Sequence, residues 1–179
     1  MNPHDDFKEI FLAQIISITG GLIGGLILAF VTDKIELVPA LFILVPGFLE
    51  MKNSNSGSLS ARLSSGLFLD ALKPKLKNQR LLRSNIIASF ILVIIVSILL
   101  GIISYGIGYL IFGITSTKII IIAFIAGILS NLIEIPLNVF FTFWIFRKGH
   151  DPNNIMGPYI TTIGDIISFV CLYIAIVIV

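Results

Sequence analysis

The chain has 179 residues, 56% of them hydrophobic and only 12% charged, with a formal net charge of +2; its mean hydropathy is +1.04. A water-soluble domain of this length cannot hide so much apolar surface, so the composition specifies an integral membrane protein with no room for a soluble domain beside the spans. The small positive balance argues against a nucleic-acid partner. Cys171 is the single cysteine, which excludes an internal disulfide and a thiolate metal site, and His4 and His150 lie in separate polar segments that form no zinc motif.

The opening MNPHDDFKEI is acidic and lacks the basic region of a signal peptide, so the first apolar stretch is expected to stay in the mature protein. That span covers about residues 7–31 and holds Gly20, Gly21, Gly24 and Gly25, overlapping GxxxG pairs that allow another helix to approach closely. A polar turn at 32–36 leads into LVPALFILVPGFLEMKNSNSGSLSARLSSGLFLD, the stretch around which the chain is organised. It is apolar, breaks at Pro46-Gly47, carries Glu50, Lys52, Asn53, Asn55 and Arg62, and turns apolar again. Neither apolar flank is long enough to span alone, and one straight helix would far exceed the roughly 30 Å hydrocarbon core. The expectation is a discontinuous transmembrane helix over 37–72, unwound in the middle to line a hydrated cavity. A plain surface loop at 53–58 is the alternative.

Next comes KPKLKNQRLLR, with Lys73, Lys75, Lys77, Arg80 and Arg83 and no acid among them. The third span, 85–112, spaces Ser97, Gly101, Ser104 and Gly108 as a small-residue packing seam. A hairpin turn precedes the fourth span, 119–146, and the fifth covers 158–179. The reading is therefore an all-α polytopic membrane protein, a single domain over 1–179 with five transmembrane helices, the second of them broken. The basic residues concentrate in the loops after spans two and four, so the positive-inside rule puts the amino terminus inside and the carboxyl terminus outside. The basic run serves as a topology anchor that also touches anionic lipid headgroups.

Three spans keep a carboxylate, Glu50, Glu134 and Asp165. Such a group costs roughly 2.5–3.5 kcal/mol at the bilayer centre on insertion scales, so each needs a partner or a purpose. Asp165 has Thr161 one turn before it and Ser168 one turn after it, a stripe of oxygen ligands suited to a hard cation such as Mg²⁺. The competing reading is an Asp165 neutralised by Arg62 or protonated in a packed bundle. Glu134 shares a face with Asn131 and Asn138, either lining a pathway or acting as interhelical hydrogen-bond glue, and Pro136 frees a backbone carbonyl nearby. Asn53, Ser54, Asn55, Ser56 and Ser58 offer further amide and hydroxyl oxygens, with Glu50 facing the cavity from upstream.

VPGFLEMKNSNSGSLSARLSS resembles the first signature of the MgtE-type divalent-cation transporters, closest to the archaeal branch and the related eukaryotic solute carriers. HDPNNIMGPYITTIGDIISF is similar to that family's final-helix motif. The resemblance implies a five-helix protomer that dimerises around a cation pore. It carries the pore aspartate to Asp165, the backbone-lining position to Thr161 and the position before the proline to Gly157. The family's asparagine falls on Asn55, or on the Asn53-Ser54 pair in a second alignment. The paired sensor modules of bacterial members have no room here.

The expected function is thus Mg²⁺ or broader divalent-cation transport by a homodimer in the plasma membrane. The metal ligands would be Asp165, Thr161, Asn55 and Asn53, and the pore-lining candidates Glu50, Ser58, Glu134, Asn131, Asn138, Gly157 and Ser168. A non-transporting membrane scaffold is the competitor from another class. An intramembrane hydrolase is weaker, since no HExxH or GxSxG motif is present.

Overall fold

The computed structural model describes residues 38–77 and 79–179, together with 11, 14, 15, 18, 19, 21–26 and 29. Four long helices follow one another: α1 (Val38–Phe68), α2 (Arg80–Phe112), α3 (Lys118–Arg147) and α4 (Pro152–Ile178). No strand occurs among the described residues. By length and composition α2, α3 and α4 are each able to cross a membrane. Most of the expected first span and the 32–36 turn lie outside the described residues. Within that span residues 21–26 are helical, and Gly24 sits so close to α4 that a Cβ there would fall 2.5 Å from the Phe169 ring.

The expected break in the second span is corrected. α1 is one continuous α-helix of 31 residues with Pro46 inside it. Pro46 is on the exposed side of the helix, where its ring and the missing N–H disturb no packed neighbour. The polar centre does not force unwinding because Lys52, Asn53, Ser56 and Ser60 find side-chain partners sideways, on α3 and α4. Lys52, Asn55, Ser56, Leu59, Ser60, Leu63, Ser64 and Leu67 are all buried, which is the i, i+3, i+4, i+7 stripe of an ordinary packed helix. At the end of α1, Asp70 takes a left-handed backbone (φ 53°), and Leu72 N–H donates to the Gly66 carbonyl at 2.9 Å. This wraps the last turn as a Schellman-type cap does.

Each helix packs on the next, and α1 also packs on both α3 and α4, so α1 and α3 form the central pair. One side of α2 does the packing: Ser97, Gly101, Ser104 and Gly108 are buried, as their spacing predicts. A Cβ on Gly101 would lie 2.8 Å from the Ile120 Cα, and one on Gly127 would lie 2.8 Å from the Ser97 Cβ. The α2 and α3 backbones therefore meet at a distance only glycine permits. α2 ends at Gly113, whose φ of 68° supplies the left-handed cap.

The fifth span starts earlier than its apolar run suggests. Asp151 caps α4 by accepting from Asn153 N–H at 2.9 Å, and Pro152 fills the first helical position. Pro158 therefore lies inside the helix rather than at its start.

The core is layered. Leu44, Phe48, Val93, Ile122 and Phe169 belong to one apolar cluster, and Leu59, Leu63, Leu82, Val139 and Phe143 to another. Between them along α1 and α3 lies a polar belt made by Lys52, Asn55, Ser56, Asn131, Glu134 and Asn138, all buried.

Candidate functional site

The belt is built by α1 and α3, with α4 closing one side. Its centre is an ion pair: the Lys52 ammonium lies 3.1 Å from Glu134 Oε2, and both side chains are almost fully buried. Lys52 Nζ also donates to Asn131 Oδ1 at 3.4 Å. Ser56 Oγ donates to Glu134 Oε2 at 3.2 Å, and Ser168 Oγ donates to Oε1 at 3.2 Å. Asn138 Nδ2 donates to the Ser56 carbonyl at 2.6 Å, and Thr142 Oγ1 donates to Asn138 Oδ1 at 3.2 Å. Both carboxylate oxygens of Glu134 are thereby engaged, so the group acts as a cross-brace between α1, α3 and α4.

Lys52 is the residue that sequence reasoning missed. Arg62, the expected counter-charge to a carboxylate, is exposed, and Lys52 takes that role. The signal was available: Lys52 falls on the apolar stripe that Phe48, Asn55, Ser56 and Leu59 also occupy, and a lysine there needs a buried acid.

Asp165 lies apart from that pair. It is half-buried on α4, and its Oδ1 accepts from Asn53 Nδ2 at 3.4 Å. No Lys, Arg or His among the described residues pairs with it. Gly164 sits beside both residues: a Cβ there would stand at ordinary contact, 3.8 Å, from Asn53 Oδ1 and from Glu134 Oε2. Thr161 Oγ1 donates back to the Gly157 carbonyl at 2.9 Å, within α4. Ser168 turns inward to Glu134, so the expected Thr161–Asp165–Ser168 stripe divides between two sides of the helix.

The two asparagines of the NSNS run also separate. Asn53 faces α4 and meets Asp165. Asn55, 200° further round at 100° per residue, is buried with neither its amide nitrogen nor its oxygen partnered. Glu50, Ser54 and Ser58 are exposed at four-residue intervals, one outward polar line along α1. Gly157 is exposed and Thr161 and Asp165 are partly exposed at the same interval on α4. The Asn53–Asp165 hydrogen bond joins these two lines, which together form an open polar seam. Asn131, Asn138, Glu134 and Ser168 belong to the interior brace instead.

Chemically, the seam offers two carboxylates, Glu50 and Asp165, and hydroxyls, an oxygen-rich set without thiol or imidazole. Among the described residues no three His, Cys, Asp or Glu side chains cluster tightly enough to ligate a metal directly. Such a donor set suits a hard cation that keeps part of its water shell.

A family model, MgtE, described as a divalent cation transporter, matches residues 45–175. The match runs from the start of the polar stretch of α1 to the last turns of α4, and so includes every residue of the seam and the brace. No curated protein and no solved structure matches the chain.

Proposed function

Because the chain belongs to the MgtE family of divalent cation transporters, we propose that it carries Mg²⁺ across the membrane along the α1–α4 seam, completed by a second copy. The family is one of membrane transporters, not of enzymes. The observation that carries the proposal is the contrast between two carboxylates. Glu134 is neutralised in place by Lys52, whereas Asp165 is held by one amide hydrogen bond and, among the described residues, by no cation. A carboxylate kept at membrane depth without a counter-charge marks an ion pathway by default.

The outward line of Glu50, Ser54 and Ser58 supports the second copy. Hydrocarbon cannot solvate such a face, so it has to meet water or protein. Two copies related by a two-fold axis would bring two seams together around a hydrated path. Paired Asp165 carboxylates, each held by its Asn53, would attract the divalent ion, and Ser54 and Ser58 would bind the water shell that Mg²⁺ gives up reluctantly. With the basic loop between α1 and α2 on the cytoplasmic face, the carboxyl terminus lies outside the plasma membrane.

The test is Mg²⁺ flux into proteoliposomes holding wild type or Asp165→Asn. The variant keeps an oxygen for Asn53 and should fold and assemble normally while flux is lost. Unchanged flux in a folded Asp165→Asn protein would overturn the assignment.

A further inference from the structure

α2 and α3 leave an apolar groove of about 270 Å³ between them, lined by Ile87, Phe90 and Ile91 on one side and Leu132 and Ile135 on the other. That volume is at the small end of ligand pockets and suits one hydrocarbon chain rather than a compact polar ligand. Asn131 also lines the groove; it is 1% exposed, its Oδ1 is taken by Lys52, and its Nδ2 has no partner. One buried donor is therefore left over beside an otherwise apolar trough.

Directly above, Arg80, Arg83 and Ser84 line a polar hollow, and Ile87 lines both this hollow and the groove. The two features adjoin at Ile87 along α2. Neither arginine forms an ion pair with a described residue. Gln79 is the N-cap of α2 but makes no cap bond, because its side-chain amide is spent on the loop: it accepts from Lys73 N–H and donates to the Lys73 and Lys75 carbonyls. The first turn of α2 thus presents two free guanidinium groups and uncapped N–H groups at the same spot.

We propose that the hollow and the groove together are a binding site for one anionic phospholipid per copy. The phosphate sits on Arg80, Arg83 and the Ser84 hydroxyl, where the guanidinium fork matches phosphate geometry. One chain lies in the groove. Arg83 and Phe90 are seven residues apart, about 10 Å at 1.5 Å per residue, so an acyl chain descending from the phosphate reaches the groove. This goes beyond a general attraction of the basic loop to the membrane surface. It names two of the five basic residues of that stretch and requires the groove below them.

The purified full chain would be studied by native mass spectrometry with equal amounts of phosphatidylglycerol and phosphatidylcholine. The expected result is one retained phosphatidylglycerol per copy, preferred about tenfold or more, as two surface arginines would provide. Arg80→Gln/Arg83→Gln should abolish the preference. Leu132→Trp, which fills the groove from an exposed position, should weaken retention with both arginines intact. Lys73→Gln/Lys75→Gln/Lys77→Gln should keep the preference. Equal retention of the two lipids by wild type would overturn the proposal. So would a lysine variant as defective as the arginine variant, unchanged retention in a folded Leu132→Trp, or full displacement of the lipid by inorganic phosphate.

Discussion

Lys52 on α1 and Glu134 on α3 meet at 3.1 Å between two apolar layers, in a membrane-embedded bundle where water is scarce. The pair explains how two charges persist at that depth: each is the other's solvent, and Ser56, Ser168 and Asn131 occupy the remaining hydrogen-bonding capacity.

Removing one partner should therefore cost more than removing both. Lys52→Met or Glu134→Gln alone is expected to lower stability by about 3–5 kcal/mol for a buried pair broken on one side. The double variant should recover much of that loss. Unfolding of all four proteins in the same detergent forms the cycle, and additive losses would mean the pair is not coupled.

Asn53 and Asn55 should behave oppositely despite being two residues apart. Asn53→Leu removes the donor to Asp165, a bond to a charged group typically worth about 1.5–3 kcal/mol, and should reduce Mg²⁺ flux roughly tenfold or more. Asn55→Leu removes a buried amide with both atoms unpartnered, so stability should hold or rise by about 1 kcal/mol. Flux and thermal unfolding on both variants separate the two residues. Loss of flux in a stable Asn55→Leu protein would reverse their roles.

The α2–α3 contact should tolerate no added methyl. Gly101→Ala places a carbon 2.8 Å from a backbone atom of α3, an overpacking expected to cost about 1–3 kcal/mol. Gly106, on the same helix, has nothing within 4 Å. Gly106→Ala should be neutral or stabilise by roughly 0.5–1 kcal/mol, the usual gain in a helix interior. Melting temperatures of the two variants provide the comparison.

The outward line on α1 should lie against its counterpart in a second copy. In a Cys171→Ala background, cysteines introduced singly at Glu50, Ser54 and Ser58 should give disulfide-linked dimers on mild oxidation at one position or more, since a bridge needs Cα atoms within about 7 Å. A cysteine at Ile102, exposed on α2, should not. Dimers at Ile102 with none along α1 would put the interface elsewhere.

Much of this was legible in the chain. The seam of Ser97, Gly101, Ser104 and Gly108 was readable because small residues at helical spacing have one structural use in an apolar helix. Asp165 stood out because a lone charge in an apolar run demands a reason. The continuity of α1 was not read, although its period was present. Lys52, Asn55, Ser56, Ser60 and Ser64 repeat with the helix, but a polar run next to Pro46-Gly47 resembles a break when the partners are unknown. Those partners, Glu134, Asn131, Asn138 and Thr142, lie about 80 residues away, and no local pattern encodes such a pairing. The early start of α4 was missed for a different reason. An Asp-Pro pair is a helix start, but hydropathy marks where a helix becomes apolar rather than where its hydrogen bonds begin.

The unbroken α1 also has a mechanical meaning. A helix of 31 residues is about 46 Å long at 1.5 Å per residue, and its hydrogen-bond ladder runs intact past the residues that face the seam. It is a strut without a hinge. A helix interrupted at its centre lets half a span swing while the other half stays fixed; here the part of α1 that follows Pro46 must travel as one piece. In the proposed dimer, widening or narrowing the seam would then fall to the lean of α4 against α1, or to the sliding of one copy past the other, with Asn53–Asp165 as the latch between the moving parts.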